Sequence, residues 1–388
     1  MSLKFISILL LFHFCFYYSC EEKLTPPNSL RLDFVVIAQD TTGFMELLEG
    51  KTFVDSARVF VNSYSYHNTY EDFTDENGQV VFQSILPDRY SVSITRFLSP
   101  DEVMKVTGVR IARVLNGQIK EIEVSGGVCS TTVYLYPSQL GNIVFSEIYY
   151  NGAPPPPPYY YHDQFTELYN NSDSVMYLDG LIIADVEYGY VDDEYIHAVH
   201  AYMFPGSGDD YPLNPGEFVI IAQDAIDHTE ANANSVDLSD ADFEYYAPNQ
   251  PDVDNPDVEN MIMVHHKYGY DFLYSVMNCG IVLLRVDDPY AVGYDNFDNI
   301  LFPKEGVIDG VEYRDNLSEV EYKRLSSDID AGLTGGFEAY RGKSIERKIG
   351  YYREGRAILL DNNNSSIDFE VLSRPTPGYI HGVEGSGS

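Results

Sequence analysis

From residue 30 onward, apolar and polar residues alternate over short runs, and Gly, Pro, Asn or Asp stops each run within a few residues. A period of two turns one face of a strand to a core and the other to water, and turn residues this frequent interrupt any helical stripe. Leu30 to Ala38, Ala57-Arg58-Val59-Phe60-Val61, Val80-Val81-Phe82, Tyr90-Ser91-Val92-Ser93-Ile94, Lys120 to Val124 and Thr131 to Tyr136 form a first series. Asn142 to Asn151, Phe165 to Ser172, Val175 to Ile183, Leu213 to Ala222, Ile281 to Val286, Val307 to Tyr313, Ser344 to Arg347 and Asp368 to Leu372 form a second. The 33 Tyr and 21 Phe are strand formers, and 29 Gly and 20 Pro supply the punctuation. The expectation is an all-β chain of two domains, a small β-sandwich over 30–136 and a larger one over 137–382. Four stretches of the second, near 153–163, 184–212, 223–260 and 286–305, read as loop insertions. The acidic, apolar-poor 223–260 is expected to be partly disordered.

The N-terminus reads as an export signal over 1–19. Lys4 supplies one positive charge, Phe5 to Phe16 is apolar, and Ser19 precedes Cys20. The apolar run is too short to span a bilayer. Ser19-Cys20 resembles the end of a lipobox, which implies cleavage before Cys20 and lipid on that cysteine. Residues 20–29, with Pro26-Pro27, are then a lipidated tether. Glu21-Glu22 resembles the surface-export signal of Bacteroidota lipoproteins, which implies an outer-membrane, lipid-anchored, cell-surface location. Residues 383–388, ending Gly385-Ser386-Gly387-Ser388, read as an appended linker. With 24 basic and 60 acidic residues the formal charge is -36, which disfavours a nucleic-acid partner because phosphate binding needs clustered Lys and Arg. Of four cysteines, Cys15 leaves with the signal and Cys20 carries lipid. Cys129 and Cys279 fall in different domains and are expected as two buried free thiols.

Two further resemblances bear on fold. Ala57-x-Val59, Thr74-Asp75-x-Asn77-Gly78-x-Val80-x-Phe82 and Leu86-Pro87-x-x-Tyr90-x-Val92 resemble the transthyretin-like, carboxypeptidase-regulatory-like sandwich, with Asn77-Gly78 read as a hairpin turn. Such domains serve as spacers or docking elements, so the likeness implies a fold and no chemistry. Ser146-Glu147-Ile148, Glu167-Leu168-Tyr169-Asn170, Asp179-Gly180-Leu181, Pro215-Gly216-Glu217 and the ending Pro375-Thr376-Pro377-Gly378 resemble the lamin-tail domain, an immunoglobulin-like sandwich. The two-domain order resembles a Bacteroidota surface lipoprotein family of unassigned function. This implies an outer-membrane β-barrel partner, of the TonB-dependent type in some such lipoproteins.

Little in the residues points to catalysis. There is no Gly-x-Ser-x-Gly elbow, and acids are too abundant for any carboxylate pair to stand out. His197 and His200, with Asp192, Asp193 and Glu194 before them, would share a face on a helix, but exposed histidines in a polar loop fit better. His265-His266 would point to opposite faces of a strand. A calcium candidate is the oxygen-rich run Asp252, Asp254, Asn255, Asp257 and Glu259. It has no EF-hand spacing, and a solvated acidic loop accounts for it equally. The most unusual loop is 153–163, with five prolines followed by Tyr159, Tyr160, Tyr161, His162 and Asp163. Prolines stiffen it, and stiff tyrosines give contact area at low entropic cost. It reads as a partner-contact loop or as a loop packed on its own domain. The leading expectation is a non-catalytic accessory lipoprotein docking on a barrel complex through such loops. The alternatives are a stand-alone adhesin or glycan-binding lipoprotein, and a calcium- or metal-dependent hydrolase.

Overall fold

The computed structural model describes residues 32–381 apart from 67, 109, 111–112, 127, 140, 156–158, 188–191, 193 and 354. The signal, Cys20, Glu21, Glu22 and the C-terminal linker therefore lie outside the described residues, as do Tyr188, Tyr190 and Asp193. No helix among the described residues is long and apolar enough to cross a membrane.

The chain is all-β, as the alternation requires. The first unit has seven strands: β1 (Leu32–Asp40), β2 (Arg58–Ser63), β3 (Thr69–Phe73), β4 (Gln79–Ile85), β5 (Asp88–Leu98), β6 (Arg113–Val124) and β7 (Val128–Gln139). Their order is β3-β2-β5-β6-β7-β1-β4. The end of β7 pairs antiparallel with β6, while its earlier part runs parallel to β1, so this one strand joins two halves of the sheet. Phe34, Val36, Val59, Val61, Phe82, Val92, Ile94 and Leu135 are buried in the core between them.

Three local expectations change here. The Asn77-Gly78 turn forms, with Gly78 at φ 69° and the Asp75 Oδ1 accepting from the N–H groups of Asn77 and Gln79. It makes no hairpin: β3 pairs with β2 and β4 with β1, so the turn carries the chain from one half of the sheet to the other. Strand β3 itself was not expected. Two helices also interrupt the strands, α1 (Phe44–Glu49) and α2 (Pro100–Thr107). The second has a local cause. Ser99 Oγ accepts from the Glu102 N–H, Glu102 accepts from the Ser99 N–H, and Pro100 occupies the first turn.

The second unit is a two-sheet sandwich. One sheet carries, in spatial order, Glu259–Asn260, Phe243–Glu244, Phe218–Ala222, Phe165–Asn170, Ile143–Tyr149, Ser344–Arg347 and Phe369–Leu372. The other carries Gly293–Tyr294, Ile300–Pro303, Tyr195–Met203, Ile182–Val186, Asn278–Leu284, Val307–Arg314 and Thr334–Gly335, with Ile262–His266 also on Tyr195–Met203. Phe145, Leu168, Ile183, Tyr202, Ile281, Leu283, Val311 and Ile345 form the core between them. The reverse face of the second sheet is buried too, with Ile182, Val282, Leu284 and Phe302 packed against Leu325 and Ile329. Burial on both faces explains the unbroken apolar runs at 181–183 and 281–284.

Three expected insertions are structural, and one of them, 286–305, supplies the strands Gly293–Tyr294 and Ile300–Pro303. The stretch 184–212 holds the nine-residue strand Tyr195–Met203, so His197 and His200 sit on a strand rather than a helix or loop. The stretch 223–260, expected to be partly disordered, is packed: Ala225, Leu238, Ala241, Phe243, Tyr245 and Ala247 are buried. Its few apolar residues are spaced to reach the sandwich edge, which an average over the segment conceals.

The first sheet holds a row of acids. Register places Glu167 opposite Glu147, Glu147 opposite Glu346, and Glu346 opposite Glu370 on four adjacent strands. The first three are buried. The ending 375–381 lies over them. Thr376 N–H and hydroxyl donate to Glu147, Gly378 N–H to Glu167 at 2.6 Å, and His381 to Glu346. Ser146 and Ser344 hydroxyls donate to Glu167 and Glu147. Burial pushes Glu147 up to about 7 and Glu167 up to about 8, with neighbouring carboxylates adding to both.

The two units meet through polar groups. The face of β5 and β6 that alternation assigns to water is covered by 323–333 and 361–366 of the second unit. Asn364 Nδ2 donates to Thr95 Oγ1, Thr95 donates to Asn116 Oδ1, and Asn116 Nδ2 donates to the Asn362 carbonyl at 2.9 Å. Gln118 and Lys120 reach the carbonyls of Ala331 and Lys323. A cavity of about 630 Å³, lined by Asn62, Ser91, Ser93, Thr334, Ser366 and other residues of both units, opens at this seam.

Candidate functional site

The proline-tyrosine loop is closed on itself. Ala153 and Tyr160 form an antiparallel bridge, with the Ala153 N–H donating to the Tyr160 carbonyl at 2.8 Å. Gly152 at φ 77° allows this approach, since a Cβ there would stand 2.5 Å from that carbonyl. Asn232 and Asn234 donate to the Pro154 carbonyl, and Gly342 N–H donates to the Gly152 carbonyl. Asn151 is buried at the base and binds 338–341 and Val276 through both its amide atoms.

The three tyrosines have different fates. Tyr159 and Tyr161 are 60% and 39% exposed and flank Tyr340, with ring centroids 4.7 and 6.4 Å away. Tyr160 turns inward, and its hydroxyl lies 2.7 Å from His228 Nδ1. His228 Nε2 faces the Asp224 carbonyl at 2.9 Å, which can only accept, so that nitrogen carries the proton and Nδ1 accepts from Tyr160. Burial pulls His228 down to about 4 and keeps it neutral.

Below the loop three side chains converge. His162, Asp224 and Asp271 each offer a ligand atom, and these atoms lie within 4.8 Å of one another. They come from three segments that Gln164 ties together. Gln164 Nε2 donates to the Tyr150 and Tyr274 carbonyls, its Oε1 accepts from the Tyr274 N–H, and its backbone carbonyl accepts from the Gln223 N–H. Phe272, stacked on Tyr202, anchors the Asp271 segment in the core. His162 Nδ1 is 2.6 Å from Asp271 Oδ2, and this hydrogen bond raises the imidazole above its usual range against the effect of burial.

The site is rich in carboxylates and poor in cations. Asp224 is 3% exposed, and its Oδ1 has no hydrogen-bond partner. Burial pushes its carboxyl up to about 7, helped by the charges of Asp271 and Asp252 and opposed by His162. Asp163 is buried beside it, with Oδ2 bound by Tyr149 and Ser235 and Oδ1 unpartnered, and burial raises it to about 6. Burial likewise raises Asp252 to about 6, with Asp271 contributing. Tyr270, 66% exposed, stands next in sequence to Asp271 on the outer side.

The other candidate residues are placed as follows. Asp252, Asp254, Asn255, Asp257 and Glu259 do not converge. Asp252 accepts from the N–H groups of Ala247 and Val253, Asp254 from Asn260, and Asn255 donates to the Ala225 carbonyl and accepts from Asp257 N–H. Asp257 and Glu259 are exposed. Of the run, only Asp252 acts electrostatically on the His162 cluster. His197 and His200 are three apart on one strand, and a bulge between Ala198 and His200 breaks the alternation, so that Ala198 and Ala201 both pack on the reverse face and the two histidines share the other. His197 lies between Asp295 and Asp192. His200 faces the Asp185 carboxylate and the Tyr268 carbonyl, so both ring nitrogens donate and its charge is favoured despite burial. His265 and His266 meet the Asp298 carbonyl and the Tyr202 hydroxyl. Cys129 and Cys279 are free, Cys279 buried as expected and Cys129 only half-buried. Asp224 and Asp271 were missed. Each is one acid among 60 Asp and Glu residues, and no local motif marks either.

Residues 214–376 match the model of a family described as a protein of unknown function (DUF4876). A solved DUF4876 family protein from Bacteroides thetaiotaomicron is similar over 87% of this chain and 94% of its own, at 25% identity and a TM-score of 0.55. A DUF3823 family protein from Parabacteroides merdae aligns over 70% of this chain and 97% of its own, at 8% identity and a TM-score of 0.17. No curated protein matches the chain.

Proposed function

We propose that this chain is a non-catalytic, lipid-anchored module of the bacterial outer surface that docks on an outer-membrane β-barrel protein through the loop end of its second sandwich. The observation that carries the reading is the pair Tyr159 and Tyr161, held outward on a loop whose base is closed by the Ala153–Tyr160 bridge and the Asn232 and Asn234 bonds. Aromatic side chains presented on an already ordered loop lose little entropy on contact, which favours protein recognition. Tyr270 and Tyr340 widen the same surface.

Cys20 carries the lipid in this reading, Glu21-Glu22 direct the chain outward, and the first sandwich is a spacer of the transthyretin-like type. The second is lamin-tail-like. Support for that comes from three of the motifs that suggested it. Ser146-Glu147-Ile148, Glu167-Leu168 and Pro375-Thr376-Pro377-Gly378 are distant in sequence and meet in one hydrogen-bonded layer.

The test is extraction of the full chain in mild detergent followed by affinity purification. A β-barrel protein is expected in stoichiometric amount. Recovery as a lone monomer would overturn the docking. Changing Tyr159 and Tyr161 to Ala should lose the partner without moving the melting temperature. Cys20→Ala should release the chain from the membrane fraction.

A further inference from the structure

We infer that His162, Asp224 and Asp271 bind one divalent transition-metal ion of the zinc class, which pins the tyrosine loop to the two segments beneath it. The inference goes beyond the docking reading and does not depend on it.

Three observations carry it. The first is the donor set. One imidazole and two carboxylates from three separate segments have their ligand atoms within 4.8 Å of one another. Ligands on a tetrahedral ion at a bond length near 2.1 Å stand about 3.4 Å apart, so the hydrogen-bonded His162–Asp271 pair must open by about 0.8 Å while any wider pair closes by at most about 1.4 Å. His162 sits at the end of a loop with its side chain about a third exposed, and can move that far. The second is Asp224 itself. It is 97% buried (3% exposed), its carboxyl belongs to the cluster, and its Oδ1 accepts from nothing. A buried acceptor without a donor is costly in a finished fold, and a cation would satisfy it. The third is the charge balance. The acids Asp271, Asp252 and Glu244 act on Asp224, and His162 opposes them. A dication supplies what they lack.

The donor chemistry selects the ion. Calcium takes six to eight oxygens, whereas this site offers one nitrogen and two carboxylates. Imidazole with carboxylate suits zinc and its neighbours. The ion takes the place of the hydrogen bond between His162 Nδ1 and Asp271 Oδ2, and the neutral imidazole keeps its one proton on Nε2. Three protein ligands leave a fourth position on the exposed His162 side, open to water or to a donor from a docked protein. The acidic run 252–259, the calcium candidate in the sequence, takes no direct part.

The test is titration of the full lipidated chain, stripped with chelator and kept in detergent, with Zn²⁺ alone. One equivalent should bind, and Ca²⁺ in excess should not displace it. Asp224→Asn and His162→Gln should each weaken binding at least about tenfold. Glu76→Gln, on a turn of the first sandwich, should bind as the parent does. Should Asp224→Asn fail to fold, the half-exposed His162→Gln carries the test alone. Absence of a bound equivalent, binding that ignores both substitutions, or preference for Ca²⁺ would each overturn the site. Because metal uptake is measured without a partner, its failure leaves the docking reading untouched, and loss of docking leaves the metal site untouched.

Discussion

Replacing Arg347 by Met should destabilise the second sandwich. The guanidinium is 1% exposed. It donates to Asp309 at 2.6 Å and lies 3.5 and 3.6 Å from carboxylate oxygens of Asp361 and Asp368, all buried. It also donates to the carbonyls of Phe145 and Leu360 and stacks over Phe369. Asp309 belongs to the opposite sheet, so this side chain ties the two layers across their edge. Removing one partner of a buried ion pair typically costs about 3–5 kcal/mol, and each lost carbonyl bond about 1 kcal/mol. Two effects hold the loss down. Met refills the aliphatic volume, and the orphaned acids can take up protons. Burial already pushes Asp361 above the usual carboxylate range with the arginine present. About 3 kcal/mol at neutral pH is therefore expected. Urea unfolding followed by far-UV circular dichroism and tyrosine fluorescence (the chain has no Trp) measures it. The loss should shrink toward about pH 5, where the three acids are protonated without the arginine's help. A loss under about 1 kcal/mol at neutral pH, or one that does not vary with pH, would refute this account of Arg347.

The glutamate row predicts a pH dependence of opposite sense to ordinary carboxylates. Glu147 and Glu167 have folded values near 7 and 8, above their unfolded value, so the folded state holds more protons between about pH 4 and pH 8. Stability is fully present below about pH 4 and is lost as pH rises through 7 to 8, by on the order of 3–5 kcal/mol per group. Glu167→Gln should flatten that slope, and urea midpoints from about pH 5 to about pH 9 that do not fall in the parent would contradict it. At the seam, Asn116→Leu strands the Thr95 hydroxyl and the Asn362 carbonyl, a loss of about 1–3 kcal/mol. Calorimetry should then show the two units melting in separate transitions; a single unaltered endotherm would mean that this contact does not couple them.

Much of the architecture was legible because strand period and turn chemistry are local. The runs at 143–149, 165–170, 307–314 and 344–347 form strands as read, since each alternates or is wholly apolar against a defined core. What local reading lost was of three kinds. The strand Tyr195–Met203 was passed over because its histidines and alanines carry weak strand signals, and its place between two other strands makes it one. The Ser91, Ser93 and Thr95 face of β5 looked like a water face. It is a polar interface, and only the docking of 361–366 onto it distinguishes the two. The run 252–259 looked like a cation loop because its oxygens are close in sequence, yet its Asp252 and Asp254 carboxylates and Asn255 amide are engaged in local hydrogen bonds.

The candidate site shows the division most sharply. His162 was marked by its loop, because five prolines and three tyrosines are unusual wherever they fold. Its partners were not. Asp224 and Asp271 lie 62 and 109 positions further on in ordinary acidic company, and they reach His162 only because two strand ends and an aromatic anchor deliver them to one edge. Sequence by itself determined the all-β class and marked the proline-tyrosine loop, since propensity, alternation and proline act over a few residues. Tertiary structure alone decided which acids are buried, which charges meet, and that Asp224 is left without a donor, because burial and proximity belong to the packed chain.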